Sequence, residues 1–342
     1  MSNKYSFFDF GIQELKDKFV ELGFQGFVAK QCLDWVYKKN IYDVANMSNI
    51  SKSNREKIAE LFDFSLFKDV KSVHSKEENA IKNICKLEDG NIIECVILDQ
   101  EDYYTLCISS QCGCAVDCKF CLTGVVGFKR NLTVAEIVKQ VVYCFSIGYP
   151  IKNIVFMGMG EPLMNYENVM AAIDYLTAKQ TYDLSVRAIT VSTAGYMAGL
   201  KRLIKDERFL NLAFSVGSAD PIKRIKFMPI ESRNSIIEFV KVLYNYQQMH
   251  NRKVTLEYTL LEGVNDSDYD IRSLINLAHY LNAKVNLINL NPHFKIPFKP
   301  VAIKKLLEIR DVVKRNKCRV TIRYKKGQDI TAACGQLGES HL

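Results

Sequence analysis

The chain has 342 residues, 48% of them hydrophobic and 25% charged, which is ordinary globular composition with room for one large domain and an accessory one. No apolar run reaches the roughly 18 residues that cross a bilayer, and the opening stretch from Met1 to Asp9 lacks the charged-then-apolar pattern of a signal peptide. The formal net charge of +8 suits a polyanionic partner such as RNA, and eleven cysteines without a regular framework argue against a disulfide-stapled secreted domain. The sequence thus predicts a cytoplasmic protein with no membrane contact.

Residues 1–65 read as a helical accessory domain. Apolar residues recur at helical spacing in Leu15, Phe19 and Leu22 and again in Ala29, Leu33, Val36 and Tyr37, with Gly23, Gly26 and Asn40 as punctuation. Its mixture of Lys30, Trp35, Tyr37, Lys38 and Lys39 suits RNA, although packing accounts equally well for Trp35. Residues 66–102 form a linker with a β-hairpin, in which Asp89-Gly90 supplies a two-residue turn between Ala80–Glu88 and Asn91–Leu98. Glu94 sits inside the second strand; a buried carboxylate there would have a raised pKa, as suits a base.

From residue 103 to 338 strands alternate with helices. Candidate strands are 104–109, 153–157, 187–192, 212–216, 255–260, 285–290 and 319–323. The first helix is marked by the capping box Thr133-Val-Ala-Glu136 and ends at Gly148. This alternation predicts an α/β fold with a parallel sheet, in the form of a partial (βα)6-type TIM barrel. Cys32, Cys85, Cys144 and Cys318 fall in apolar or helical contexts and read as buried small hydrophobes.

The run Cys114-Ala-Val-Asp-Cys118-Lys-Phe-Cys121 follows the first barrel strand. Three thiolates on one tight loop can hold three irons of a [4Fe–4S] cluster and leave the fourth open to a small chelating molecule. The spacing is that of enzymes that bind S-adenosylmethionine at such an iron. With Cys112 included, the four cysteines also allow a structural zinc site, although C-x-C-x3-C-x2-C is unusual spacing for zinc. Other unusual residues fall at the C-terminal ends of the candidate strands, where βα barrels keep their chemistry. They are the element Gly158-Met-Gly160-Glu161-Pro162, Ser192-Thr193, Ser215-Val216-Gly217 and Asn289 with Asn291-Pro292. The glycines permit close backbone approach to a ligand, and Glu161 can accept the ammonium of an amino acid.

Several stretches are similar to the RlmN/Cfr family of radical S-adenosylmethionine RNA methyltransferases. They include Cys107 through Gly124, Phe156-Met-Gly-Met-Gly-Glu-Pro-Leu163, Met228-Pro-Ile230, Leu261 to Asp266, Lys284 to Pro292 and Ala332-Ala-Cys-Gly-Gln-Leu337. The resemblance implies that Cys114, Cys118 and Cys121 hold the cluster. It assigns S-adenosylmethionine to Gly160, Glu161, Ser192, Ser215, Val216, Gly217 and Asn291. Cys334 would take a methyl group from one cofactor molecule by displacement; a 5′-deoxyadenosyl radical from a second would then remove hydrogen from that methyl. The carbon would add to an adenine, with Glu94 as proton acceptor, and Cys107 would form a disulfide with Cys334 to release the RNA. Such a route suits adenine C2, an electron-poor carbon for which the roughly 10²–10⁴-fold of a general base is too little.

The resemblance also implies 23S rRNA and tRNA as substrates and an electron donor such as flavodoxin, with the chain acting as a monomer. Methylation at C2 is the main expectation. C8 methylation as in Cfr-type members, or a metal-holding RNA-binding protein without catalysis, are the alternatives. Two positions depart from the family pattern: Gly217, where the family usually has His, and Thr331, where it usually has Asp. The basic pairs Lys129-Arg130, Lys223-Arg224 and Lys325-Lys326 follow strand ends and are expected to rim the barrel mouth, with the last pair favouring a Cys334 thiolate.

Overall fold

The structure is a computed structural model that describes residues 4–323 and 326–341. Lys325 lies outside the described residues. Ten strands form one sheet whose spatial order equals their order along the chain. They are β1 (Asp69–His74), β2 (Ala80–Lys86), β3 (Ile92–Asp99), β4 (Tyr104–Cys107), β5 (Ile151–Phe156), β6 (Ile189–Thr193), β7 (Asn211–Ser215), β8 (Thr255–Leu260), β9 (Lys284–Asn289) and β10 (Arg319–Arg323). β1 to β4 pair antiparallel. From β4 onward every pairing is parallel. β1 and β10 do not pair with each other, so the barrel stays open.

Six helices make the crossovers that parallel strands require. They are α4 (Val134–Ser146), α5 (Tyr166–Thr177), α6 (Met197–Lys205), α7 (Ile236–His250), α8 (Asp268–Tyr280) and α9 (Ile303–Arg315), preceded in the chain by α1 (Ile12–Glu21), α2 (Gly26–Leu33) and α3 (Lys52–Leu61). The expected partial (βα)6 barrel is therefore present. In α4 the capping box closes as the sequence predicts. Glu136 N donates to Thr133 Oγ1 at 3.2 Å and Thr133 N donates to Glu136 Oε2 at 3.0 Å. Ile137, Val138, Val141 and Val142 are almost wholly buried, which stabilises the helix on the sheet by about 1.5–3 kcal/mol per side chain.

The hairpin differs in one detail. Leu87 N donates to Asn91 O and Gly90 N to Leu87 O, so the loop has three residues, Glu88 to Gly90, instead of two. Gly90 takes φ +84°, the left-handed position that a three-residue loop needs. Sequence reading missed β1, which is an edge strand with mostly exposed side chains and hence no apolar alternation.

The N-terminal helices share one apolar core with the outer face of the barrel. The Tyr37 hydroxyl lies 2.9 Å from that of Tyr175 on α5, and Tyr42 donates to Val142 O on α4. Trp35 is 7% exposed and its indole N–H reaches Asn49 Oδ1, so packing explains this residue. Cys32, Cys85, Cys144 and Cys318 are all buried, as small hydrophobes should be. No helix among the described residues is long and apolar enough to cross a membrane.

Candidate active site

A cavity of about 150 Å³ opens at the C-terminal ends of the parallel strands. Ten of the residues singled out from sequence line it: Cys114, Cys118, Cys121, Gly160, Glu161, Ser192, Ser215, Gly217, Asn291 and Cys334. They come from the last residues of β6 and β7 and from the loops after β4, β5, β7, β9 and β10, so one rim assembles residues up to 220 positions apart. A second cavity of about 590 Å³ runs into the barrel behind it and shares Met157, Glu257, Ile288, Asn291, Arg323, Cys334 and Leu337 with the first. Cys107 lines this inner cavity. Val216 is fully buried and lines neither.

The cysteine loop is a short turn in which Cys121 N donates to Cys118 O, after which Leu122–Val126 forms a single helical turn. Phe120 stands edge-on to Phe227, placing an apolar wall beside the thiols. Burial pushes the Cys114 thiol up to about 12 and the Cys118 thiol well above its ordinary value. A metal centre would overcome this by direct ligation, since it is the thiolate that binds. No three His, Cys, Asp or Glu side chains among the described residues converge as a single ion requires. Cys112 is fully buried outside the cavity wall, on the short strand Gln111–Cys112. Cys114, Cys118 and Cys121 share one loop and one cavity while Cys112 stays out of it, which fits three-thiolate ligation of a cluster better than the four-cysteine zinc set of one C-x-C-x3-C-x2-C run.

The glycine-rich element serves packing as well as ligand approach. Gly160 has φ +101°, and a Cβ there would lie 2.5 Å from Gln111 Cβ, so the element is pressed against the strand leading to the cysteine loop. Glu161 follows it. Its carboxylate is buried and accepts hydrogen bonds from Ala194 N at 2.7 Å and Leu163 N at 3.2 Å. Burial pushes its pKa up to about 7, against the pull of those N–H donors. Asn291 donates to Cys334 O at 3.0 Å, while its buried Oδ1 has no partner in the structure. The orphaned Asn291 acceptor and the buried Glu161 carboxylate line the same cavity, and both can accept from the ammonium of an amino acid cofactor.

Residues 332–341 form a strap that carries Cys334. Leu122 N donates to Gly335 O at 2.7 Å, Thr123 Oγ1 to Leu337 O at 2.7 Å and Gln336 Nε2 to Pro292 O at 3.1 Å. Solvent reaches Cys334 through the cavity, yet protein surrounds the thiol closely enough for desolvation to raise its pKa, with Arg323 opposing. The Cys107 thiol is pushed up to about 12 for the same reason and is opposed by the same guanidinium.

Arg323 is thus the cation beside both thiols, a residue sequence reasoning missed. It ends the last strand, so the rule that found the other rim residues would have found it. The expected helper Lys326 instead donates to Asp99 O.

Glu94 is placed differently from its expected role. The side chain is fully buried, but it lines neither cavity. Oε2 accepts from Gly338 N at 3.0 Å and Oε1 from Ser340 N at 3.2 Å, so the carboxylate fastens the end of the strap to β3. At Gly217, φ is +66° and a Cβ would lie 2.2 Å from Met228 Sδ, so Met228 fills the space a side chain would need. Thr331 has φ +51°, a left-handed conformation that a β-branched residue adopts only under restraint. The restraint is a hydrogen bond to Glu339 Oε2 and contacts of Lys82 Nζ with Thr331 O and Oγ1.

The expected basic rim needs correction. Arg224 is fully buried. It donates to Val216 O at 2.8 Å, to Ala194 O and to Glu231 Oε2 at 2.7 Å, bracing the loops after β6 and β7 from within. Lys223 is paired with Asp270, and Arg130 with both Asp89 and Glu136. Asp89 and Asp270 stand 41 and 47 positions from their cations, where no local pattern reveals them.

Residues 108–275 match the Radical SAM superfamily, and residues 5–63 match the Ribosomal RNA large subunit methyltransferase N-terminal domain. The chain is 40% identical over 340 residues to the "Probable dual-specificity RNA methyltransferase RlmN" of Aquifex aeolicus, covering 98% of this chain and 97% of that one. It is 37% identical to the "Dual-specificity RNA methyltransferase RlmN" of Solidesulfovibrio magneticus, covering 96% and 95%. A crystal structure of a radical SAM methyltransferase from Sphaerobacter thermophilus superposes with a TM-score of 0.92 at 34% identity, covering 98% of this chain and 99% of that one.

Proposed function

Since the chain belongs to the RlmN family of the radical SAM superfamily, we propose that it is an RNA methyltransferase acting on adenine C2. Its substrates are 23S rRNA near the peptidyl-transferase centre and the tRNA adenosine 3′ to the anticodon. It acts in the cytoplasm as a monomer, with an electron donor such as flavodoxin. The observation that carries this reading is Cys334, which lines the same cavity as Cys114, Cys118 and Cys121. A protein that only held a metal would need no such thiol.

Cys114, Cys118 and Cys121 would hold a [4Fe–4S] cluster, and Glu161 and Asn291, with Gly160, Ser192, Ser215 and Gly217 in the wall, would hold S-adenosylmethionine. The bound pair supplies a transferable methyl group and a one-electron cleavage of the sulfonium. Val216 supports the wall from behind, with its side chain buried in the core and its carbonyl held by Arg224 Nε. Glu161 meets the amino acid ammonium as a carboxylate, the form an ammonium neighbour favours against desolvation.

Cys334 would take the methyl group as a thiolate, with Arg323 stabilising that charge and S-adenosylhomocysteine leaving with the electron pair of the broken S–CH3 bond, and would carry the carbon as a thioether to the RNA. Once the carbon has bonded to the adenine and the adduct has given up one electron and one proton, the Cys107 thiolate would attack Cys334 Sγ; the Cys334 S–C bond breaks, and its electron pair passes to the departing carbon, which takes up a proton and leaves as the RNA methyl group. Glu94 accepts the adenine proton only if the strap end moves off its carboxylate. Residues 1–65 serve as an RNA-binding accessory domain, 66–102 as the linker with its hairpin and 103–338 as the catalytic barrel.

The test is intact-peptide mass spectrometry after incubating anaerobic holoenzyme with methyl-labelled S-adenosylmethionine. The label should appear on the peptide that contains Cys334. Methyl transfer to RNA by a Cys334→Ala variant would refute the role of this thiol.

A further inference from the structure

The loop after β9 presents an aromatic ring that the fold leaves uncovered. Phe294 is 83% exposed, more than any other exposed large hydrophobic side chain among the described residues. Ile296 and Phe298 on the same loop pack into the apolar cluster with Phe227 and Met228, so the loop is not simply extended into solvent. The ring is also supported from below. Its centroid lies 4.4 Å from that of His293 at an interplanar angle of 33°. The His293 side chain is only 5% exposed and reaches within 3.6 Å of Glu339 on the strap. Pro292 O accepts from Gln336 and Asn291 donates to Cys334 O, so three successive residues before Phe294 touch the strap that carries the reactive thiol. The exposed ring therefore sits one residue beyond a segment anchored to the strap that carries Cys334, and Asn291 of that segment lines the cavity. Lys295 Nζ lies 5.8 Å from the ring centroid.

One free ring with one adjoining cation is too small for a protein interface, which needs a contiguous patch. It suits a nucleotide. Unpaired bases stack on exposed aromatic faces while nearby lysines meet the phosphate, and stacking tolerates any base because each has a π-face. We propose that Phe294 is a stacking platform for an unpaired base of the RNA substrate, with Lys295 meeting the adjoining phosphate. This rests on the reading of the protein as an RNA methyltransferase. It adds the element that orients the strand beside Cys334.

The experiment compares holoenzyme carrying Phe294→Ala or Phe294→Tyr with the unaltered protein. It measures the Kd for unmodified transcribed 23S rRNA and tRNA by filter binding, and methyl transfer in parallel. Cofactor cleavage without RNA serves as the control for an intact site. The alanine variant should bind RNA on the order of tenfold more weakly, whereas tyrosine, which keeps the ring, should bind within about twofold of the unaltered protein. An alanine variant that binds normally, or a tyrosine variant as weak as alanine, overturns the platform. If methyl transfer occurs and RNA affinity ignores Phe294, the platform alone fails. If affinity depends on Phe294 but no methyl is transferred, the enzymatic reading alone fails. An unaltered holoenzyme that binds neither RNA sinks both.

Discussion

Replacing Arg224 with leucine should loosen the cofactor site from behind. Arg224 is buried in the barrel rim and binds three partners: Nη1 sits 2.7 Å from Glu231 Oε2, Nε 2.8 Å from Val216 O, and Nη2 reaches Ala194 O. Arg224→Leu leaves the Glu231 carboxylate buried with Ile236 N as its remaining donor among the described residues. Leaving one partner of a buried ion pair costs about 3–5 kcal/mol. At about 2.1 cal/mol/K per residue for the unfolding entropy, that lowers the Tm of this chain by roughly 4–7 °C.

Adding Glu231→Gln removes the stranded charge but keeps an acceptor for Ile236 N. The double variant should therefore recover at least about 2 kcal/mol of the loss. Thermal unfolding of the four proteins in the cycle, made anaerobic, supplies the numbers. Cofactor affinity should fall in the single variant as well, because Ala194 N also holds Glu161. A single variant within about 1 kcal/mol of the parent, or a double variant no better than the sum of the singles, would refute the reasoning.

Glu161→Gln tests the buried carboxylate through pH. The folded pKa of Glu161 stands at about 7, above the ordinary 4.5, so without cofactor the charge destabilises the fold increasingly from pH 4.5 to 7 and fully above that. The glutamine variant should be more stable than the parent by about 3 kcal/mol at pH 8 and should lose cofactor binding; equal stability at both ends of that range would contradict the burial argument. Cys112→Ala should retain iron after anaerobic reconstitution, whereas Cys118→Ala should lose it; the reverse, or zinc retained by four thiols, would support the alternative ligand set. Glu94→Ala should speed amide hydrogen exchange at Gly338 and Ser340 with a stability loss of about 1–3 kcal/mol, and leave α4 unchanged. Unaltered exchange at those two amides would show that Glu94 does not hold the strap.

The parts of the fold legible from sequence are those that periodicity encodes. β8 and β10 match the expected ranges at both ends, and the capping box of α4 closes as read. The cysteine loop and the rim residues were legible because chemistry-bearing residue types follow strand ends. What escaped depended on long-range partners. Arg224 looks like a surface cation until Glu231 and the carbonyls of Ala194 and Val216 fold around it. Glu94 reads as a base that accepts a proton, and only the strap 244 positions later reveals what it holds. Arg323 was open to the strand-end rule, because it ends the last strand, but the thiols of Cys107 and Cys334 give its charge a role. β1 is nearly invisible because an exposed edge needs no apolar face.

The most direct test of the account is product identification. Anaerobically reconstituted protein is incubated with methyl-labelled S-adenosylmethionine, a reductant and unmodified 23S rRNA or tRNA. The RNA is then digested and the labelled nucleoside identified by mass spectrometry. The account predicts label on adenosine at C2. Label at C8, or no label from a protein with an intact cluster, would contradict it.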